Sequence, residues 1–156
     1  MRIPLLLATI GALAACATAP TPAPPATGYD AALAERLGAD ARGMRMYVLV
    51  VLKTGPNTTA AEDEKQRLFE GHFATISRLA NEGKLAVAGP FGANDRQWRG
   101  LYIFNVATVA EAEELTRTDP AVAAGIFVVE ATPWYGSAAV LEVSDIHKRL
   151  QKPDGR

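Results

Sequence analysis

Residues 69–91 (FEGHFATISRLANEGKLAVAGPF) pass from a helical period to a strand period through a glycine, and that switch limits the fold more than any other stretch. Leu68, His72, Ile76 and Leu79 recur every three or four positions, with Phe69, Phe73 and Ala80 widening the same side, so an amphipathic helix is predicted. Gly83 stands where a helix commonly ends in the left-handed conformation. Residues 85–88 (LAVA) then read as a short strand, closed by the turn residues Gly89 and Pro90. The anomaly is His72, a titratable ring in the middle of the face that has to pack against a sheet.

The rest of the pattern fits around this unit. Residues 45–53 (RMYVLVVLK) are almost continuously apolar, as a central strand should be. Thr58 or Thr59 is placed to cap the helix that follows, with Glu62, Asp63 and Glu64 in its first turn, where the helix dipole favours negative charge. After a polar loop over 92–97, residues 99–106 (RGLYIFNV) form a third strand, with Leu101 and Ile103 on one face. Thr108 and Glu111 make a capping box for a second helix reaching Thr118, and Asp119-Pro120 opens a short turn ended by Gly125. Residues 126–134 are the fourth strand, with Pro133 near its end. Strand, helix, strand, strand, helix, strand is an α+β, ferredoxin-like βαββαβ arrangement, with both helices on one face of an antiparallel sheet. A unit of roughly 90 residues has a modest core. Its second sheet face needs a cover, and a homodimer with facing sheets would supply one.

The two ends of the chain read differently. Met1-Arg2, an apolar run over 3–13 and the ending Leu13-Ala14-Ala15-Cys16 describe an export signal too short to span a bilayer, which takes roughly 20 apolar residues. That ending resembles the bacterial lipobox, which implies acylation of Cys16 and removal of residues 1–15; an ordinary secretory signal followed by a stray cysteine is the plainer alternative. Ala17, where an Asp commonly marks inner-membrane retention in such proteins, places the expected lipoprotein on the periplasmic side of the outer membrane. Cys16 is the chain's single cysteine, so no intrachain disulfide can form. Residues 17–28, with Pro20, Pro22, Pro24 and Pro25 among Ala and Thr, make an extended tether. Residues 29–43 either continue it or form a short docked helix. The division is therefore 1–15 signal, 16–44 anchor and tether, 45–136 folded domain and 137–156 tail, the tail carrying one more candidate strand at 139–143. A net charge of −1 gives no basic stripe, so no nucleic-acid partner is expected.

The ordered set of His72 in a helix, Gly83-Lys84-Leu85, Gly89-Pro90-Phe91, Gly100, Glu111-Ala112, Asp119-Pro120, Gly125 and Pro133-Trp134 resembles the YciI-like (YCII-related) family. The resemblance covers about 46–134. It implies a dimeric α+β barrel of the type found in muconolactone isomerases and small cofactor-free monooxygenases, with a His and an Asp as active-site pair. Those positions correspond to His72 and Asp119.

Each candidate has a bland reading beside the sharp one. A lone His on an apolar helix face is commonly a satisfied core residue; with a carboxylate on one nitrogen, its other nitrogen can move a proton. Asp before Pro is an ordinary helix cap. Phe91 and Trp134 are candidate walls of a substrate pocket or plain core aromatics, and Arg99 is a candidate anion holder or a solvated loop residue. There is no phosphate loop and no metal-ligand spacing, so neither cofactor nor metal is expected. Two functions stay open: a cofactor-free isomerase- or lyase-type enzyme acting on a small organic molecule through His72 and its orienter Asp119, or a non-catalytic envelope module binding a small ligand or a partner protein.

Overall fold

The computed structural model describes residues 28–152; the signal, the acylation site Cys16 and most of the tether lie outside them. Four strands, β1 (Met44–Thr54), β2 (Leu85–Pro90), β3 (Trp98–Phe104) and β4 (Phe127–Ser137), form one antiparallel sheet in the order β2-β3-β1-β4. The long helix α2 (Glu62–Asn81) connects β1 to β2, and α3 (Val109–Arg117) with the short α4 (Pro120–Ala123) connects β3 to β4. This is the ferredoxin-like α+β topology.

Strand alternation assigns the two faces. Val48, Val50 and Leu52 of β1 point at the helices with Tyr102, Phe104 and Phe127, and join Leu79, Leu85, Ala112 and Ala121 in one buried cluster. Tyr47, Leu49 and Val51 point the other way. The end of α2 is a Schellman motif: Gly83 has φ +69°, its N–H donates to the Ala80 carbonyl at 3.1 Å, and the Lys84 N–H donates to Leu79 at 3.0 Å. Its start differs from expectation. Ala61, not Thr58 or Thr59, is the N-cap, without a side-chain hydrogen bond, and Glu62, Asp63 and Glu64 supply the complementary charge at that end. At α3, Thr108 accepts from the Glu111 N–H at 3.1 Å, while the Glu111 carboxylate reaches back to the Ala107 N–H at 3.4 Å.

Both flanking segments pack on the domain. Helix α1 (Ala31–Arg36) is capped by Asp30, and Leu37 behind it is buried under the Arg45 side chain, which donates to the Leu37 carbonyl at 2.8 Å. The tail is not a strand. Residues 138–142 instead form a 3₁₀ turn (Ala138–Glu142) and continue as α5 (Val143–Leu150). The strand reading fails because the ladder stops at Ser137: its side chain accepts from the Ala139 N–H, and the Ala138 N–H donates to the Gly43 carbonyl at 2.9 Å. The 3₁₀ turn touches β1 and β2, and α5 lies along β2, so the tail runs from one sheet edge to the other. No helix among the described residues is long and apolar enough to cross a membrane.

Candidate active site

Three elements converge on His72. Helix α2 aims the ring inward from its middle turns, α4 brings Asp119 as its N-cap residue, and β3 brings Tyr102 up from the sheet. A glycine lets the two helices meet. A Cβ on Gly71 would lie 2.4 Å from Cγ of Pro120, so any side chain there would hold α4 away from α2. His72 and Asp119 directly follow and precede that contact in sequence.

His72 Nδ1 and Asp119 Oδ2 are 2.6 Å apart, with the two residues 8% and 1% exposed. The carboxylate divides its work. Oδ1 accepts from the Ala121 N–H at 2.9 Å and caps α4, while Oδ2 faces the imidazole. The Tyr102 hydroxyl lies 3.4 Å from both partners and donates to Oδ2. With hydrogen bonds entering from Ala121 and Tyr102, the carboxylate acts as acceptor, which assigns the proton between His72 and Asp119 to Nδ1. Nε2 is then the lone-pair nitrogen. It has no hydrogen-bond partner among the described residues, yet it is not sealed from solvent, since the buried unpartnered side-chain polar atom among them is Arg45 Nε. Burial and the neighbouring Asp119 charge push the Tyr102 phenol well above its ordinary range, so it stays a donor.

Nε2 has somewhere to act. A cavity of about 340 Å³ is walled by Phe69, Phe73, Ile76, Tyr102 and Phe127, with His72 in its lining and Arg99 at its mouth. Phe127 and Phe73 hold the imidazole at ring-centre distances of 5.3 and 5.5 Å, and Tyr102 stacks on it at 6.2 Å. Arg99 is exposed, with its Nε donating to Thr54 Oγ1 at 2.7 Å.

Phe91 and Trp134 stand elsewhere. Phe91 packs on Trp98 at the loop end of the β2–β3 hairpin, with ring centres 5.3 Å apart. Trp134 is paired with Tyr47 across the ladder on the face away from the helices, and its ring lies over Gly136, where a Cβ would meet it at 2.3 Å. Neither is among the cavity walls. The residue that sequence reasoning passed over is Tyr102. Its signal was present, since alternation with Leu101 and Ile103 puts Tyr102 on the helix side together with His72. Among the described residues no three His, Cys, Asp or Glu side chains are grouped to hold a metal ion.

The chain is similar to the 5-chloro-2-hydroxyhydroquinone dehydrochlorinase TftG from Burkholderia phenoliruptrix AC1100, solved in complex with 2,5-dihydroxybenzoquinone. The two share 21% identity at a TM-score of 0.41, over 56% of this chain and 92% of that one. No curated protein matches in sequence. Residues 46–135 match the YCII-related domain and so take in both crossovers and the sheet except the first two residues of β1 and the last two of β4. The chain therefore belongs to the YCII-related domain family.

Proposed function

We propose that this protein is a small cofactor-free enzyme of isomerase or lyase type, moving a proton on a compact organic molecule held in the His72 cavity. The reading rests on one observation above all: a buried His–Asp hydrogen bond of 2.6 Å, on an imidazole that lines a cavity and whose far nitrogen has no hydrogen-bond partner among the described residues. His72 Nε2 accepts a proton from the substrate, giving an imidazolium that donates through Nδ1 to Asp119 and is neutralised by it. The same nitrogen returns the proton to another atom of the substrate, or passes it on as a leaving group departs. Asp119 is a positioning residue, fixing the tautomer and the ring plane, and Tyr102 holds Asp119 in turn. The aromatic walls lower the local dielectric around the buried His72–Asp119 hydrogen bond, which strengthens it. Arg99 at the mouth holds an oxygen of the substrate. Base and orienting carboxylate supply this chemistry without a bound group.

The same proposal places the domain in the cell envelope, held by an acylated Cys16 at the periplasmic side of the outer membrane. The lipobox-like ending and the proline-rich tether support that placement. It also includes a homodimer through the sheet face left uncovered by the tail, where Val128 is 43% exposed and Leu49 and Leu101 are half-buried.

Deuterium exchange tests the chemistry without knowledge of the natural substrate. A panel of enolisable cyclic ketones and unsaturated acids is incubated in D₂O with the wild type and with His72→Gln, and carbon-bound deuterium is read by NMR. The wild type should accelerate exchange in at least one member, and the variant should lose roughly 10²–10⁴ of that rate. Exchange no faster than buffer across the panel, or equally fast with His72→Gln, would leave a binding module in place of an enzyme.

A further inference from the structure

A second cavity, of about 440 Å³, adjoins the first and shares Phe69, Arg99 and Phe127 with it. The two differ in chemistry. The His72 cavity is aromatic and aliphatic, whereas the second adds Thr54, Asn57 and Lys65 to the shared walls. Its lining includes two cations and no carboxylate. Arg99 commits only Nε, to Thr54 Oγ1 at 2.7 Å, and its two terminal nitrogens make no hydrogen bond among the described residues. Lys65 is paired with Glu62 at 2.8 Å, but that carboxylate is 90% exposed, and an exposed pair one helical turn apart holds its lysine weakly. A planar guanidinium that lines a cavity, fixed at its Nε and with both terminal nitrogens unengaged among the described residues, offers the fork that a carboxylate accepts.

Resting on the proton-transfer reading for the first cavity, we infer that the second is an anion subsite, and that the substrate class is an apolar, ring-bearing carboxylic acid. The ring lies against His72 between Phe73 and Phe127, and the carboxylate lies on Arg99 with Lys65 as a second, longer-range charge. Phe69, on the shared wall, separates the wet part of the ligand from the dry part. The arrangement gives orientation as well as affinity: the acid group anchored at Arg99 decides which atom of the ring system faces Nε2.

Matched probes test this on the full chain. 3-Phenylpropanoate and 3-phenylpropanamide have the same shape and differ in charge; each is titrated at low ionic strength while ¹⁵N shifts of the backbone and of the His72 ring are followed. The wild type should bind the carboxylate at least tenfold more tightly than the amide, Arg99→Gln should abolish most of that preference, and Lys65→Gln should remove a smaller part. Equal affinities in the wild type, a preference that survives in the Arg99→Gln/Lys65→Gln double variant, or binding of neither probe at millimolar concentration would overturn the subsite. A preference that disappears with Arg99 while the His72 ring shifts stay unmoved would keep the subsite and remove the dyad from the ligand's environment, so the two readings fail separately.

Discussion

Gly71→Ala perturbs the His72–Asp119 pair without altering either member. Glycine inside a helix costs about 1 kcal/mol relative to alanine, so on propensity alone the substitution should stabilise α2 by that amount. The new Cβ would lie 2.4 Å from Pro120 Cγ, against an ordinary carbon–carbon separation of about 3.5 Å, so α4 has to retreat by roughly 1 Å. A retreat of that size taken along the dyad would lengthen the 2.6 Å hydrogen bond beyond hydrogen-bonding reach. Overpacking of this kind costs about 1–3 kcal/mol, which outweighs the propensity gain and leaves a net loss of roughly 1 kcal/mol, read as a fall in Tm of about 4 °C. The sharper readout is the ring: the ¹⁵N tautomer pattern of His72 should lose its single, Nδ1-protonated form. Pro120→Ala removes Cγ and keeps a Cβ that is 3.5 Å away, so Gly71→Ala/Pro120→Ala should recover the tautomer and show favourable coupling in a double-mutant cycle. A single Gly71→Ala variant that gains the full 1 kcal/mol with an unchanged ring spectrum would refute the close-approach argument.

Three further outcomes follow from the same geometry. Asp119→Asn keeps a competent N-cap on α4 and should leave Tm within a few degrees, while Asp119→Ala also loses the cap at about 1 kcal/mol; both should cut proton-exchange activity by tenfold or more, as paired melting curves and rates would reveal. Because the folded protein holds the Tyr102 proton more tightly than the unfolded chain, the unfolded chain releases it first, near pH 10. Stability is thus fully present below that pH and declines above it, and Tyr102→Phe should flatten the alkaline limb of a urea-denaturation series. Trp134→Ala should lower stability by roughly 2 kcal/mol, less than a fully buried ring would, while leaving 3-phenylpropanoate affinity unchanged in the same titration.

The fold could be read from the chain because period and punctuation agree at each step. The apolar run ending at Lys53, the Gly83 stop and the Thr108–Glu111 box are local signals, and tertiary packing did not overrule them. The tail shows the opposite case. Residues 139–143 carry a strand-like composition, but nothing in them records that Ser137 and Ala138 are held by Gly43 and by their own turn. The site was legible in its two named ends, since a His within an apolar stripe and an Asp before Pro are both conspicuous. Their meeting was not legible, because it depends on Gly71 lying against Pro120 across 49 residues of sequence, a relation that has no local signature. For Phe91 and Trp134 the missing information was which face each strand end presents. Trp134 shares its face with Tyr47, and the sheet separates both from His72.

The path of the tail makes the two rims of the sheet unlike. Among the described residues α5 contacts the β2 rim, whereas the other rim is the 11 residues of β4, where Pro133 removes one backbone donor. Among the described residues, an added strand therefore meets helix α5 at one rim and not at the other. Removal of the residues from Val143 onward would take that helix off β2 and make the two rims alike.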